Sequence, residues 1–315
     1  MDLLGVIILL VALASAGAAL LSLGGRFSDR LDVLTHFTPL YLAGGVLAVA
    51  GGWRDGPALL AGTVAILISA LIMGPEYLAA AKRPGATVSG RSLKLVQFNL
   101  WVRNADPEGT ARWIEREDAD IVVVQEAAGA GAAVILAVAD RYPFRSASFA
   151  GSDGSTVVLS KTKPRVSGDP SGGVGKRFAG AWATFGKGEA GFTVVAAHFT
   201  HPIPPGPQQA QSRRLSEFLK AFDRSSLIVA GDFNATPWSF ALHRQDARFG
   251  LARLTRALFT WPTTRFRRWG LRSPVPFLAL DHVYAGSAWR AASVTLGPRL
   301  GSDHLPVVVV LERVA

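Results

Sequence analysis

The chain has 315 residues, 49% of them hydrophobic, no cysteine and a formal net charge of +10. The missing cysteines exclude disulfides and thiolate metal sites, and they leave the redox compartment unread. Charge is unevenly divided: residues 1–81 hold Arg26, Arg30 and Arg54 against Asp2, Asp29, Asp32, Asp55 and Glu76, a net of −2, so the remainder carries +12. A half that basic attracts an anionic partner, whether nucleic acid, lipid headgroups or phosphorylated small molecules.

In chain order, "LLGVIILLVALASAGAALLSL" (3–23) is uncharged for 21 residues, enough to cross a hydrocarbon core of about 30 Å at about 1.5 Å per residue. A cleavable signal would carry positive charge ahead of a shorter apolar run, whereas here only Asp2 precedes it. Two more spans follow, 33–53 and 57–80, separated by the charged breaks "GGRFSDRLD" and "RDG". Three transmembrane helices are therefore predicted, packed closely through Ala14, Ser15, Ala16, Gly17, Gly44 and Gly45. His36 and Pro39 read as an interfacial histidine and a tolerated kink, because no charged partner lies at matching depth. Placing Arg26, Arg30, Lys82 and Arg83 inside and only Arg54 outside puts the rest of the chain in the cytoplasm.

After the linker "KRPGATVSGRS" (82–92) the pattern changes to short β-rich runs. Residues 93–101, "LKLVQFNLW", read as a strand ending at Asn99. Residues 106–120 read as a helix capped by Asp106, with Pro107 in its first turn and Ala111 and Ile114 facing inward. "IVVVQEA" (121–127) is a buried strand ending in Gln125 and Glu126. "STVVLS" continues the pattern, and "AWATF" and "GFTVVAAHFTH" form a pair joined by "GKGEA". That turn, with Gly191 after it, matches GxGxxG only by accident, since it connects two strands and opens no helix. "SLIVAGDFNATPWS" (226–239) carries Asp232 and Asn234 at its end, with His243 on the surface of a following helix. "FLALDHVYA" (277–285) holds Asp281 and His282, and "GSDHLPVVVV" (301–310) sets Ser302, Asp303 and His304 before the last strand.

Polar residues at one strand end are ordinary edge chemistry. Here Asn99, Glu126, His198 with His201, Asp232 with Asn234, and the 302–304 trio occupy five such ends, and loops at one edge of a sandwich converge in space. Asn99 and Glu126 are hard oxygen donors suited to Mg²⁺ or Mn²⁺. A three-histidine zinc site from His198, His201 and His304 lacks HxxxH or HExxH spacing, and Ser302 lies in no GxSxG elbow. Strand alternation sends Asp281 and His282 to opposite faces, so one of them points into any site there. The arginine- and aromatic-rich "WPTTRFRRWGLR" (261–272) suits a nucleic-acid backbone with Trp261 or Trp269 stacking on bases, or an anionic lipid surface.

Taken together, "FNLW", "VVVQE", "AAHFTHP", "IVAGDFN", "LDHVYA" and "GSDHLP" occur in the order and near the spacing of the endonuclease/exonuclease/phosphatase family, and residues 93–312 resemble it. That family includes deoxyribonuclease I-like nucleases and neutral sphingomyelinases. The resemblance implies an α/β fold, a four-layer α-β-β-α sandwich of two mixed, largely antiparallel sheets, here preceded by three transmembrane helices. The implied organisation is an anchor over 1–81, a linker over 82–92 and a catalytic domain over 93–315.

By the same resemblance, Asn99, Glu126 and Asp303 look like ligands of Mg²⁺ or Mn²⁺. Asp232 looks like the residue that orients or deprotonates water, Asn234 like a phosphate donor, and His304 like the histidine at the scissile phosphate with Asp281 holding its ring. His198 stands where abasic-site nucleases have a tyrosine, which argues against abasic-site repair, and His201 reads as a substrate-side contact. The expected protein is a multi-pass protein of a bacterial-type inner membrane, partnered by the lipid bilayer and an anionic phosphoester, nucleic acid or phospholipid; no protein partner is implied. The rival is a non-catalytic membrane protein using the fold as an anion- or partner-binding module.

Overall fold

The computed structural model describes residues 2–81, 92–148, 156–169, 179–263 and 273–314. The 82–92 linker and the 261–272 loop therefore lie largely outside the described residues. The chain divides into two compact units: Met1–Arg83 with His201–Pro207 and Ala235–Arg244, and Pro84–Thr200 with Gln208–Asn234 and Gln245–Ala315.

The first unit contains α1 (Leu3–Leu23), α2 (Asp29–Thr35), α3 (Thr38–Gly51) and α4 (Gly56–Ala81). Asp2 caps α1, its Oδ1 accepting the Gly5 N–H at 2.9 Å. Packing is by small residues: Ala12, Ala16, Ala48, Ala58, Ala61 and Ala65 form the core, and a Cβ on Gly45 would stand 2.8 Å from the Gly62 carbonyl oxygen. Leu10, Leu13, Leu20, Leu47, Leu60, Leu67 and Leu71 face outward. Alanine inside and leucine outside reverses the order of a water-soluble bundle, and suits helices whose solvent is itself apolar.

Two helices, Leu3–Arg26 and Gly56–Ala81, are long and apolar enough to cross a membrane, and a third span is counted only if α2 and α3 are taken as one. The stretch expected as one span, 33–53, falls on parts of two helices, Asp29–Thr35 and Thr38–Gly51, bent by 54° from each other. Pro39 does not kink a continuous helix; it lies in the first turn of α3, where its missing N–H costs nothing. Asp32, Thr35 and His36 precede it, and their polar groups are buried.

The second unit runs through β1 (Ser92–Asn99), α5 (Pro107–Glu117), β2 (Ile121–Gln125), α6 (Ala130–Ala137), β3 (Phe144–Ser148), β4 (Thr156–Ser160), β5 (Val166–Gly168), β6 (Ala179–Phe185) and β7 (Phe192–His198). It continues through α7 (Pro205–Leu219), β8 (Leu227–Asp232), α8 (Phe240–Phe249), β9 (Ala252–Arg253), β10 (Asp281–Ala285), β11 (Trp289–Leu296) and β12 (Val307–Arg313). The strands make two six-stranded sheets, ordered β11-β12-β1-β2-β4-β3 and β5-β6-β7-β8-β10-β9.

Valine, isoleucine and alanine alternate across these strands so that both faces are buried. Leu95, Ile121 and Val123 of one sheet meet Val194, Ala196, Ile228 and Val283 of the other between the layers. On the outer face Val96, Phe98, Val122 and Val124 receive Trp113 and Ile114 of α5 and Val134 and Ile135 of α6. Beyond the second sheet, Trp182 meets Phe218 of α7, and Tyr284 meets Phe249 of α8. The result is the expected four-layer sandwich.

Each sheet holds one parallel pair, β1 with β2 and β7 with β8, flanked by an antiparallel strand, β12 and β10 respectively. The C-terminal ends of parallel strands and the entry of an antiparallel neighbour share one edge of a sheet. That geometry gathers Asn99, Glu126 and the 302–304 trio at one sheet's edge, and His198, Asp232 and Asp281 at the other's.

Candidate active site

Asp232 closes β8 with 1% of its surface exposed. Register places it beside His198 across the parallel pair and beside Asp281 across the antiparallel one. Asp281 is the first residue of β10 rather than mid-strand. Its Oδ2 meets His304 Nδ1 at 2.8 Å, and its Oδ1 accepts from Gln97 Nε2 at 3.0 Å. His304 Nε2 lies 3.7 Å from Asp232 Oδ2, and His198 Nε2 lies 3.8 Å from the same oxygen. Asn99 Nδ2 donates to Asp232 Oδ2 and to Glu126 Oε1, both at 3.0 Å, and so links the two sheets' contributions.

Two of these side chains are aimed by backbone that side chains other than glycine seldom adopt. Glu126 has φ +53° at the exit of β2 and Asn234 has φ +48° just past β8. The left-handed Glu126 costs about 1–2 kcal/mol, and Asn234 less because its short side chain bonds locally; such strain concentrates at functional sites. The Asn234 turn is held by its own N–H on Asp232 Oδ1 (2.9 Å), by its Nδ2 on the Phe199 carbonyl (2.8 Å), and by Gln208 Nε2 on the Phe233 and Asn234 carbonyls. Glu126 is only half-buried, and its Oε2 accepts the Val102 N–H at 3.2 Å.

Burial by itself would lower the pKa of His304, but the carboxylates of Asp281 and Asp232 outweigh it and raise the value from 6.5 to about 10. That direction favours the imidazolium form of the ring. Burial pushes the Asp232 carboxyl upward, against the charge of His304, and the Asp281 carboxylate adds to the rise. For Asp281 burial acts the same way, but the His304 charge and the hydrogen bonds from His304, Thr260 and Gln97 reverse it, so its pKa is lowered. Asp303 is raised, first by burial, with the Glu126 carboxylate adding to the rise and His304 opposing it.

Ser302 is fully buried and committed: its Oγ donates to the Asn99 carbonyl at 2.6 Å and accepts the His304 N–H at 3.0 Å. It ties the His304 loop to the end of β1, a structural duty that leaves no hydroxyl aimed at the imidazole. His282 points away from Asp281, with Nδ1 3.2 Å from Thr255 Oγ1 and its ring 6.1 Å from that of Phe233. His201 is exposed and falls in the first unit, and His243 is exposed on α8. Trp261 Nε1 donates to Asp303 Oδ2 at 3.2 Å, whereas Trp269 lies outside the described residues.

Sequence reasoning missed Gln97, which joins Gln125 at 2.7 Å and steadies Asp281 beneath the site. Its signal was a glutamine inside an otherwise apolar strand. Two donor sets suit a cation. Asp232, Asp281 and His304 offer ligand atoms within 4.8 Å of one another. Asn99, Glu126 and Asp303 offer three hard oxygens, and Asp303 Oδ1 is buried with no hydrogen-bond partner among the described residues. The three oxygens of the second set match the hard-donor preference of Mg²⁺ or Mn²⁺.

The fold is shared with several solved structures. Sphingomyelinase C from Streptomyces griseocarneus is similar at a TM-score of 0.52 and 20% identity, over 70% of this chain and 99% of that one. A beta toxin from Staphylococcus aureus with bound magnesium ions is similar at 0.53 and 14%, over 70% and 99%. A humanized D. rerio TDP2 is similar at 0.52 and 16%, over 70% and 99%. No curated protein matches the sequence at a significant level. Residues 96–304 match the Endonuclease/Exonuclease/phosphatase family, a stretch that spans every polar strand end described above, and the chain belongs to that family.

Proposed function

We propose that this protein is a membrane-anchored, divalent-metal-dependent phosphodiesterase acting on nucleic acid or phospholipid. The observation that carries the reading is the buried line Asp281–His304–Asp232, joined through Asn99 to Glu126. Membership of a phosphoesterase family, the fold of a sphingomyelinase and a half that is strongly basic all support it. The proposed organisation is an anchor over 1–81, a linker over 82–92 and a catalytic domain over 93–315. The inverted packing of α1, α3 and α4 supports a multi-pass place in a bacterial-type inner membrane, and the arginines of the first loop support a cytoplasmic catalytic domain.

Asn99, Glu126 and Asp303 would hold Mg²⁺ or Mn²⁺. A cation there would offset charge on the non-bridging phosphate oxygens. Asp232, as the carboxylate, accepts a proton from the attacking water and orients it. His304 enters as imidazolium, donates from Nε2 to a phosphate or leaving oxygen, and keeps its other nitrogen on Asp281, which fixes ring orientation and charge. Asn234 and His198 add donors on the same side. A pure binding module has no use for this pattern, since buried carboxylates repel a phosphate unless they take part in its chemistry.

The test uses the full chain in detergent micelles with Mg²⁺ or Mn²⁺, against a chromogenic phosphodiester, supercoiled DNA, RNA and sphingomyelin, beside Asp232→Ala and EDTA controls. Turnover that needs metal and disappears in the variant is expected, and the responding substrate names the class. A folded, metal-binding protein silent on all four substrates would overturn the reading in favour of the binding module.

A further inference from the structure

The chain leaves the catalytic unit one residue after Asn234: Ala235–Arg244 belongs to the helical unit. Within that unit the segment is held by α2 and the residues next to it. His36 Nδ1 accepts the Thr236 N–H at 3.2 Å and meets Thr236 Oγ1 at 3.0 Å. Trp238 Nε1 donates to the Thr35 carbonyl at 2.7 Å. Asp32 receives the first two N–H groups of α8, Phe240 on Oδ1 at 2.9 Å and Ala241 on Oδ2 at 2.6 Å. Arg244 closes the set on Asp29 at 2.7 Å.

All of these groups except Asp29, Phe240, Ala241 and Arg244 are nearly inaccessible: Asp32, Thr35, His36, Thr236 and Trp238 are each at most 5% exposed. Buried polar groups are costly unless paired, and here they are paired with a segment some 200 residues away. An ordinary membrane tether has no need of such a device. Anchoring alone would be served by α1 and α4, and α2 would be free to complete the second span. Instead α2 turns its polar side to Ala235–Arg244, and it is bent by 54° from α3.

We propose that Asp32 and His36 are positioning residues for the catalytic loop 232–234: the helical unit holds the chain just beyond that loop, as Asp232 Oδ1 and Gln208 hold Phe233 and Asn234 within it. The inference rests on the phosphodiesterase reading for its kinetic consequence but not for its structural one. Asn234 sits in a left-handed conformation held by its bonds to Asp232 and to the Phe199 carbonyl, so its geometry depends on both flanks being fixed. His36 and Asp32 fix the downstream flank, two and six residues beyond it. Neither side chain touches substrate; each acts through the backbone it grips.

The experiment compares full-length wild type with Asp32→Ala, Asp32→Asn, His36→Leu and His36→Asn, all in detergent micelles. Hydrogen–deuterium exchange is followed over residues 228–234 and 235–244, with turnover of a chromogenic phosphodiester in Mn²⁺. His36→Asn keeps an acceptor where Nδ1 stood, and Asp32→Asn keeps one of two acceptor oxygens, so both conservative variants fold if the severe ones do not. The expected result is faster exchange in both segments for Asp32→Ala and His36→Leu, kcat down by about 10- to 100-fold with KM within about 2-fold, and recovery of most of this in His36→Asn. Faster exchange confined to 235–244, with 228–234 as protected as in wild type, overturns the proposal whether or not any substrate is turned over. So does a wild-type kcat in a variant whose 235–244 segment has loosened. An inactive wild type instead counts against the enzyme reading, and the exchange comparison still decides this one.

Discussion

Asp32 with His36 in the helical unit and Asp281 with His304 in the sandwich are both buried sets, at 3%, 5%, 0% and 4% exposure. Burial therefore does not separate them; their partners do. Both oxygens of Asp32 accept backbone N–H groups, and His36 Nδ1 accepts another, so each charge or lone pair is answered by a fixed dipole of the fold. In the sandwich, His304 faces a carboxylate on each side, and Asp232 faces two histidines at 3.7–3.8 Å, too long for hydrogen bonds. One set is closed and serves as a lock. The other is left with charge aimed inward and Asp303 Oδ1 unanswered among the described residues, which is the condition in which side chains can do chemistry.

The contrast is sharpest where a charge is removed from the open set. Asp232→Ala and Glu126→Ala are each expected to cut phosphodiester turnover by at least about 10³-fold, with circular dichroism and thermal unfolding close to wild type. Activity equal to wild type in both would end the assignment. His304→Gln should follow at about 10²-fold or more, and its loss should be greatest below the pH at which the wild-type ring deprotonates.

Asp281→Asn comes next, because it removes the larger of the two carboxylate influences on His304. The ring's titration, read by NMR of the imidazole, should fall from about 10 toward its ordinary 6.5. The sign for stability follows from the raised value. The His304 contribution is complete below about pH 6.5 and is lost as pH rises through about 10, so wild type should lose stability across that window and Asp281→Asn should lose less. Asp281, with its depressed value, contributes above about pH 3.8 and loses that contribution on further acidification. A titration that stays put in Asp281→Asn would mean that Asp232 alone holds the charge.

Ser302→Ala separates tie from nucleophile. Losing a hydrogen bond to the Asn99 carbonyl and an acceptor for the His304 N–H should cost about 1–3 kcal/mol of stability. Turnover should fall about 10-fold or less, and mass spectrometry should find no covalent intermediate on the wild-type residue. The smallest effect belongs to the closed set: Trp238→Phe keeps the ring but removes the bond to the Thr35 carbonyl, for about 1 kcal/mol, a shift of a few degrees in unfolding temperature.

The parts visible in the residue string are those that obey local rules. Strand ends at Asn99, Gln125, His198 and Asp232 fall where apolar runs stop, and Asp106 caps α5 as its position before Pro107 suggests. The inward side of that helix, Ala111 and Ile114, follows from its period. The broken span was not visible, because 33–53 has the composition of a continuous membrane helix and its interruption depends on Thr236, Trp238 and Phe240, far along the chain. The left-handed turn at Glu126 was equally hidden: glycine or asparagine advertises such a turn, and a glutamate does not.

What the sequence by itself determined is the list of chemical parts and their order: apolar helices first, then strands whose ends carry carboxylates, amides and imidazoles. That much follows from hydrophobic period and turn chemistry, which act over a few residues. Only the tertiary structure decided which of two neighbours, Asp281 or His282, meets His304, that Gln97 supports it, and that Asp32 and His36 grip the chain beyond Asn234. Those choices depend on strand register and on which buried polar groups find partners from distant segments, and the free energy of an unpaired buried group is defined only once the whole core has closed around it.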